Sequence, residues 1–223
     1  MINEIKPFYI YEENNCLFIK NINEKIDKIS NNIVSYCANF DDRNFIHICS
    51  IDTNGKLLHF IYKNGKIRRR SLCKVCHNVS NLISMRLFII RNYLNVFLVE
   101  ESSLKENCYR ISHYNFSPTN YNIQKHYFNN TIKNNESLYK LNIDDMGNMI
   151  FTYDYSEQNK RSEVSTQTFV FNNSNRKWTP THNLLRTCST FSNFKSYSTI
   201  KDDIFEYCYS INYKNINKKD YQD

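Results

Sequence analysis

Residues 45–90 read FIHICSIDTNGKLLHFIYKNGKIRRRSLCKVCHNVSNLISMRLFII, and this stretch decides the fold class. It holds four segments of about six to ten residues in which apolar side chains alternate or run continuously, as they do in β-strands. Asn64-Gly65 stands between two of these segments, and Asn-Gly favours a type I′ turn because both central residues take positive φ. The stretch therefore predicts antiparallel strands joined in series by hairpins.

The same arrangement recurs along the chain. First-strand anchors at Tyr9, Ile46, Leu94, Ile150 and Phe205 are 37, 48, 56 and 55 residues apart. The predicted units are 8–43, 44–92, 93–147, 148–202 and a partial unit at 203–223. Four strands in a unit of this length are typical of a β-propeller blade, so we expect a single all-β, propeller-like domain of four-stranded antiparallel blades. A β-sandwich is the alternative.

Ile46-His47-Ile48, Asp52 to Leu57 and Gly65-Lys66-Ile67 carry a recognisable pattern. It resembles the repeats of uncharacterised multi-blade propeller proteins from low-GC Gram-positive, clostridial-type bacteria. Those repeats combine an I-H-I strand, a D-x-x-G-x-L turn and a G-K-W turn, with Ile67 here in place of the tryptophan. The likeness is strong only over about residues 44–100. The resemblance implies a repeat scaffold used for binding. No enzymatic activity follows from it.

Four units and one further strand are few for a propeller. Either the extra strand closes the ring by completing another blade, or the chain is an incomplete relative of a longer protein. We expect an incomplete or open arc, with residues 203–223 contributing one strand. Open blade edges would expose backbone donors and acceptors, and such edges favour self-association.

Composition restricts the possible partners. The chain has 223 residues and a net charge of +7, with its basic residues scattered apart from runs such as Arg68-Arg69-Arg70. Without a recognisable module we do not expect nucleic-acid binding. The sequence shows no signal peptide and no membrane span, so we expect a cytoplasmic protein with reduced cysteines.

Cys73-Lys-Val-Cys-His77 matches the spacing of a c-type haem attachment site and half of a zinc site. No second pair of cysteines or histidines supplies a fourth zinc ligand at a suitable spacing. Haem attachment would require export of the chain. We expect the five residues to belong to the end of a strand, with no metal and no cofactor.

One column of polar residues is a candidate ligand-binding site. His47, Asn95 and Glu206 occupy the same position of the first strand in three units. The first strand of a propeller blade is innermost, so these side chains would face the axial channel. His113 and His126 lie in neighbouring predicted strands and could pair across them.

The sequence favours a non-enzymatic binding or scaffold protein whose ligand is a peptide, a protein or a glycan. The alternative is a carbohydrate-active propeller hydrolase. It would use carboxylates at the ends of first strands, at Glu100, Glu101 and Asp154, because paired carboxylates carry out glycoside hydrolysis.

Overall fold

The computed structural model describes residues 8–21, 23–102, 106–133, 138–144, 146–156 and 164–181, together with the backbone of 195–198 and 205–208. These residues form an all-β structure of antiparallel strands, with one short 3₁₀ turn at Val79–Asn81. The predicted fold class is confirmed at this level. The β-sandwich fits the strand content as well as the propeller does.

Seventeen strands are described, and nearly all coincide with segments predicted from apolar patterning. They are β1 Phe8–Glu13, β2 Cys16–Lys20, β3 Ile26–Asn31, β4 Ile33–Phe40, β5 Ile46–Asp52, β6 Lys56–Lys63, β7 Lys66–Lys74, β8 Leu82–Ile90, β9 Tyr93–Glu101, β10 Cys108–Phe116, β11 Gln124–Ile132, β12 Lys140–Ile143, β13 Met149–Ser156, β14 Val164–Asn172, β15 Lys177–Pro180, β16 Lys195–Ser198 and β17 Phe205–Cys208.

The strands belong to two compact units. The first contains Met1–Ser80, Met85–Val96 and Asp203–Asp223, and the second contains Asn81–Ser84 and Phe97–Asp202. Two four-stranded sheets lie in the first unit, with strand orders β17-β1-β2-β3 and β4-β5-β6-β7. A nine-stranded sheet has the order β15-β14-β13-β11-β10-β9-β8, with β12 beside β13 and β16 beside β12.

The sheets begin one strand earlier than the predicted repeat units. β4 pairs with β5 along seven register positions from Ile33 to Phe40, so β5 is the second strand of its sheet. Likewise β8, and not β9, is the strand at that end of the nine-stranded sheet. The structure therefore groups β4–β7 where the units 8–43 and 44–92 divide them. The unit bounds themselves, as sequence repeats, stay a prediction.

The partial unit at 203–223 does not stand alone. Residues 205–208 form β17, which pairs antiparallel with β1 in the register Phe8↔Cys208 to Tyr11↔Phe205. The expected open edge at β1 is therefore wrong, because a strand from the other end of the sequence covers it. The remaining residues of 203–223 lie outside the described part of the chain.

The two sheets of the first unit share an apolar core. Their buried members are Ile10, Leu17, Ile19, Ile29, Ile33, Ala38, Ile46, Ile48, Leu58, Phe60 and Tyr62. Phe8 packs at the margin of this core, with its ring centroid 6.1 Å from those of Phe40 and Tyr62. Alternation along β5 and β6 is what turns these apolar side chains to one face.

Asparagine adopts the positive φ that glycine usually supplies in many of the turns. Asn64 and Gly65 have φ of 51° and 77°, which confirms the predicted type I′ hairpin between β6 and β7. Of the non-glycine residues recorded with positive φ, eight are asparagine: Asn14, Asn15, Asn32, Asn44, Asn64, Asn92, Asn107 and Asn130. Asparagine tolerates the left-handed region better than most residues, so a β-rich chain can fold with only three glycines.

Pro180 fits the sheet in spite of lacking an N–H. It is the last residue of β15, which is an edge strand paired with β14. Proline is tolerated at such positions because no further strand among the described residues requires its donor.

Candidate functional site

The predicted column of polar residues is split among three sheets. His47 lies on β5, Asn95 on β9 and Glu206 on β17, where its backbone is opposite Ile10. β5 and β9 are each the second strand from one end of their sheets. The ligand-binding role of the three residues stays a prediction.

Asn95 is fully buried in the first unit. Its side-chain amide donates to the carbonyl of Tyr93 at 3.2 Å and to that of Phe88 at 3.5 Å. The bond to Phe88 ties β9 to β8, and the bond to Tyr93 lies within β9. They give Asn95 a structural role in its own hairpin.

His47 is the centre of a buried hydrogen-bonded chain. Its Nδ1 lies 3.0 Å from Nε2 of His59, and its Nε2 lies 3.3 Å from Oδ2 of Asp41. The two imidazole rings are nearly parallel, with an interplanar angle of 4°. Asp41 itself is held by its turn, because its Oδ1 accepts bonds from the backbone N–H groups of Arg43 and Phe45. We call these groups the Asp41–His47–His59 chain.

Burial determines the protonation state of His59 in the Asp41–His47–His59 chain. Desolvation, together with a smaller effect of the nearby His47, lowers the pKa of His59 to about 3. Burial alone would raise the pKa of Asp41, but its hydrogen bonds to His47 and to the turn hold that pKa below its ordinary value. His59 is therefore a neutral imidazole at physiological pH.

The Asp41–His47–His59 chain lies beside a thiol, as a catalytic imidazole does, but it is not accessible to a substrate. Cys49 is directly opposite His59 in register, so a thiol and an imidazole share one face of the sheet. Both side chains are 1% exposed or less, and a substrate would have to reach them through the sheet. A buried thiol of this kind is inert, so the arrangement stabilises the sheet rather than activating a nucleophile.

Cys73 to Cys76 pack on a turn. Cys73 is the last residue but one of β7, and the backbone N–H groups of Val75 and Cys76 donate to the carbonyl of Gly55 at 2.8 and 3.2 Å. Cys76 is buried, whereas His77 is exposed. Among the described residues no group of three or more histidine, cysteine or acidic side chains is placed to hold a metal ion.

The acidic candidates of the second unit do not share one environment. Glu100 is buried, and its Oε2 accepts bonds from Nη2 and Nε of Arg110 at 2.7 and 3.2 Å. Asp154 accepts a bond from the hydroxyl of Thr166 at 2.6 Å, and Glu101 is exposed. Burial alone would lower the pKa of Arg110, but its bonds to Glu100 outweigh burial and raise that pKa.

His113 and His126 are directly opposite each other on β10 and β11, which confirms the predicted cross-strand pair. The sequence did not predict their aromatic surroundings. Trp178 donates its indole N–H to Nδ1 of His113 at 2.9 Å, and Phe97 stacks on the same imidazole at 4.5 Å between ring centroids. Burial lowers the pKa of His113 to about 3, helped by the charges of His126 and Arg176. His113 therefore belongs to a core, whereas His126 is only partly buried.

Short motifs do not reveal one further feature of the sequence, a long segment with a large excess of basic residues. Residues 53–99 contain nine lysines and arginines and no aspartate or glutamate. Because the whole chain carries +7, the remainder carries −2, from 20 basic and 22 acidic residues. A count of charge over windows of sequence, rather than a search for short runs, would have found this segment.

Comparisons with known proteins assign no family to this arrangement. No protein-family model matches the chain, and no curated protein sequence matches it. The described part of the chain contains no helix with the length and apolar character that crossing a membrane requires.

Proposed function

We propose that this chain is a non-enzymatic binding or scaffold protein, built as a propeller-like array, whose ligand is a peptide, a protein or a glycan. Consecutive groups of antiparallel strands support the array, and so does the pairing of β17 with β1. In propellers a strand from one end of the sequence commonly completes the blade at the other end. The resemblance to bacterial propeller repeats points the same way.

The observation that carries the proposal is the ion pair between the buried Glu100 and Arg110. A glycosidase carboxylate must reach the glycosidic bond, and Glu100 instead is 4% exposed with Oε2 bound twice by Arg110. His47, His59 and His113 are buried in the same way. What this leaves for recognition is the exposed faces and edges of the sheets, as in other repeat scaffolds.

A cytoplasmic location accompanies this proposal. The six described cysteines, which are Cys16, Cys37, Cys49, Cys73, Cys76 and Cys108, are thiols. Thiols are the usual state of cysteine in a reducing compartment.

A paired screen tests the proposal. The chain is applied to glycan and peptide arrays and is also incubated with a panel of chromogenic glycosides. We expect binding on the arrays and no turnover of glycosides. Turnover that is lost in Glu100→Gln or Asp154→Asn, with the fold retained by circular dichroism, would replace the binding function with the hydrolase.

A further inference from the structure

We propose that β7 is a docking strand for an acidic, extended peptide segment of another protein, which adds to the sheet as a further strand. This inference rests on the proposed binding function and names the ligand class. Its first support is position, because β7 is the edge strand of the sheet β4-β5-β6-β7 among the described residues. Peptide recognition by strand addition requires such an edge.

Exposure and charge support the same conclusion. The first six residues of β7, Lys66 to Ser71, are all exposed, whereas most of β5 and β6 is buried. Five of the nine residues of β7 are basic: Lys66, Arg68, Arg69, Arg70 and Lys74. The neighbouring strand β6 brings Lys56 and Lys63 and no acid. The strand thus lies in the segment that carries the whole positive excess of the chain.

The hairpin register gives the backbone its direction. Lys63 and Lys66 flank the two-residue turn, so they form a hydrogen-bonded pair, and the pairs alternate from there. Ile67, Arg69 and Ser71 then occupy the non-bonded positions, from which N–H and C=O groups point away from β6. These three alternate residues can form backbone hydrogen bonds with an added strand of ordinary length.

The side chains divide their charge between the two faces. Arg69 is opposite Phe60, and its guanidinium lies 6.0 Å from that ring, on the face of the shared apolar core. Arg68 is opposite Ile61 and so lies on the other face, together with Lys66. An added strand with acidic residues would find opposite charges across from it, an arrangement that stabilises strand pairs.

The same charges decide against a second copy of this chain as the occupant. Two β7 strands side by side would place like charges opposite each other, which destabilises pairing. The basic edge therefore deters self-association while it attracts an acidic strand.

The test is a titration of the full chain with a peptide of about seven residues that alternates glutamate and threonine, a typical strand length. A second peptide has proline in place of each threonine, which keeps the charge but removes the donors of those residues. A single-stranded oligonucleotide of equal charge is the third probe. Binding is followed by calorimetry, and hydrogen exchange is followed at the amides of Ile67, Arg69 and Ser71.

We expect the glutamate–threonine peptide to bind, the proline peptide to bind at least about tenfold more weakly, and the three amides to become protected. The variant Lys66→Gln/Arg68→Gln should weaken binding about fivefold, since exposed ion pairs each contribute only modestly. The matched control Arg91→Gln/Lys125→Gln removes one arginine and one lysine outside β7 and should leave the affinity unchanged.

Three results would overturn the docking strand. They are equal binding of the two peptides, binding without amide protection, and tighter binding of the oligonucleotide than of the glutamate–threonine peptide. If no probe binds while the arrays show another ligand, this inference fails and the proposed binding function stands. Glycoside turnover, in contrast, would remove the proposed function itself.

Discussion

At the scale of single residues, two glycines with the same backbone conformation face different surroundings. Gly55 and Gly65 have φ of +74° and +77°. A Cβ at Gly55 would lie 2.1 Å from the carbonyl oxygen of Cys76, whereas at Gly65 the nearest atom is Nζ of Lys25 at 3.8 Å. The backbone of Cys76 also bonds to this turn, because the N–H groups of Val75 and Cys76 donate to the carbonyl of Gly55.

We predict that Gly65→Ala costs about 1–2 kcal/mol of unfolding free energy, the usual penalty of the left-handed conformation. Gly55→Ala should cost at least about 2 kcal/mol more, because backbone must also move. Urea unfolding of both variants gives the comparison. Equal losses would mean that residues 75–76 do not pack on this turn.

The buried histidines predict how stability depends on pH. His59 and His113 have a pKa of about 3 in the fold, against an ordinary value of 6.5. Between these values the unfolded chain binds a proton that the folded chain excludes, so stability is intact above pH 6.5 and falls as pH drops toward 3. Each histidine should contribute a slope of about 1.4 kcal/mol per pH unit in that window.

Urea unfolding at several pH values measures this slope. His59→Phe and His113→Phe should each flatten it, whatever they do to stability at neutral pH. His77→Gln is the control, since His77 is exposed and should leave the slope as it is. A slope that survives both buried substitutions would contradict the burial of these imidazoles.

At the scale of strands, the short edge strand β15 is held to β10 by one side chain. The hydrogen bond from Trp178 to His113 crosses 65 positions of sequence. Trp178→Phe keeps an aromatic ring and removes the donor, so we expect a loss of about 1–2 kcal/mol. A double-mutant cycle with His113→Phe isolates the pair, and a coupling energy near zero would show that the bond contributes nothing.

Strands were predictable from the sequence, but their grouping into sheets was not. Alternation identifies β3 and β4 equally well, yet only one residue, Asn32 with φ of 57°, separates these strands where the chain passes from one sheet to the next. No Gly-Pro punctuation marks this step, and a short strand connection usually means a hairpin. This is why the grouping of β4 with β5 could not be predicted from the sequence.

The candidate sites show the same limit. The cross-strand pair of His113 and His126 was predictable, because strands joined in series place known neighbours opposite each other. The Asp41–His47–His59 chain was not, since it joins a turn residue to two strands through side-chain rotation that alternation does not encode. Nor could the sequence distinguish Glu100 as an ion-pair partner from Glu100 as an acid catalyst.

At the scale of the whole molecule, the account depends on the strand at 205–208 completing the sheet that begins at Phe8. Tyr9 and Tyr207 are directly opposite in the register of β1 and β17. Opposite residues of antiparallel strands have Cα atoms about 4.5–5.5 Å apart, which suits a disulfide. In the same register Cys208 is opposite Phe8, one position along β17 from Tyr207.

The most direct measurement is oxidation of Tyr9→Cys/Tyr207→Cys, followed by peptide mapping under non-reducing conditions. The proposed propeller-like array predicts an intramolecular disulfide between positions 9 and 207 in high yield, and none between position 9 and Cys208 in Tyr9→Cys alone. Absence of the 9–207 link in the folded double variant, or its appearance only between two molecules, would contradict the completion of the first sheet by β17.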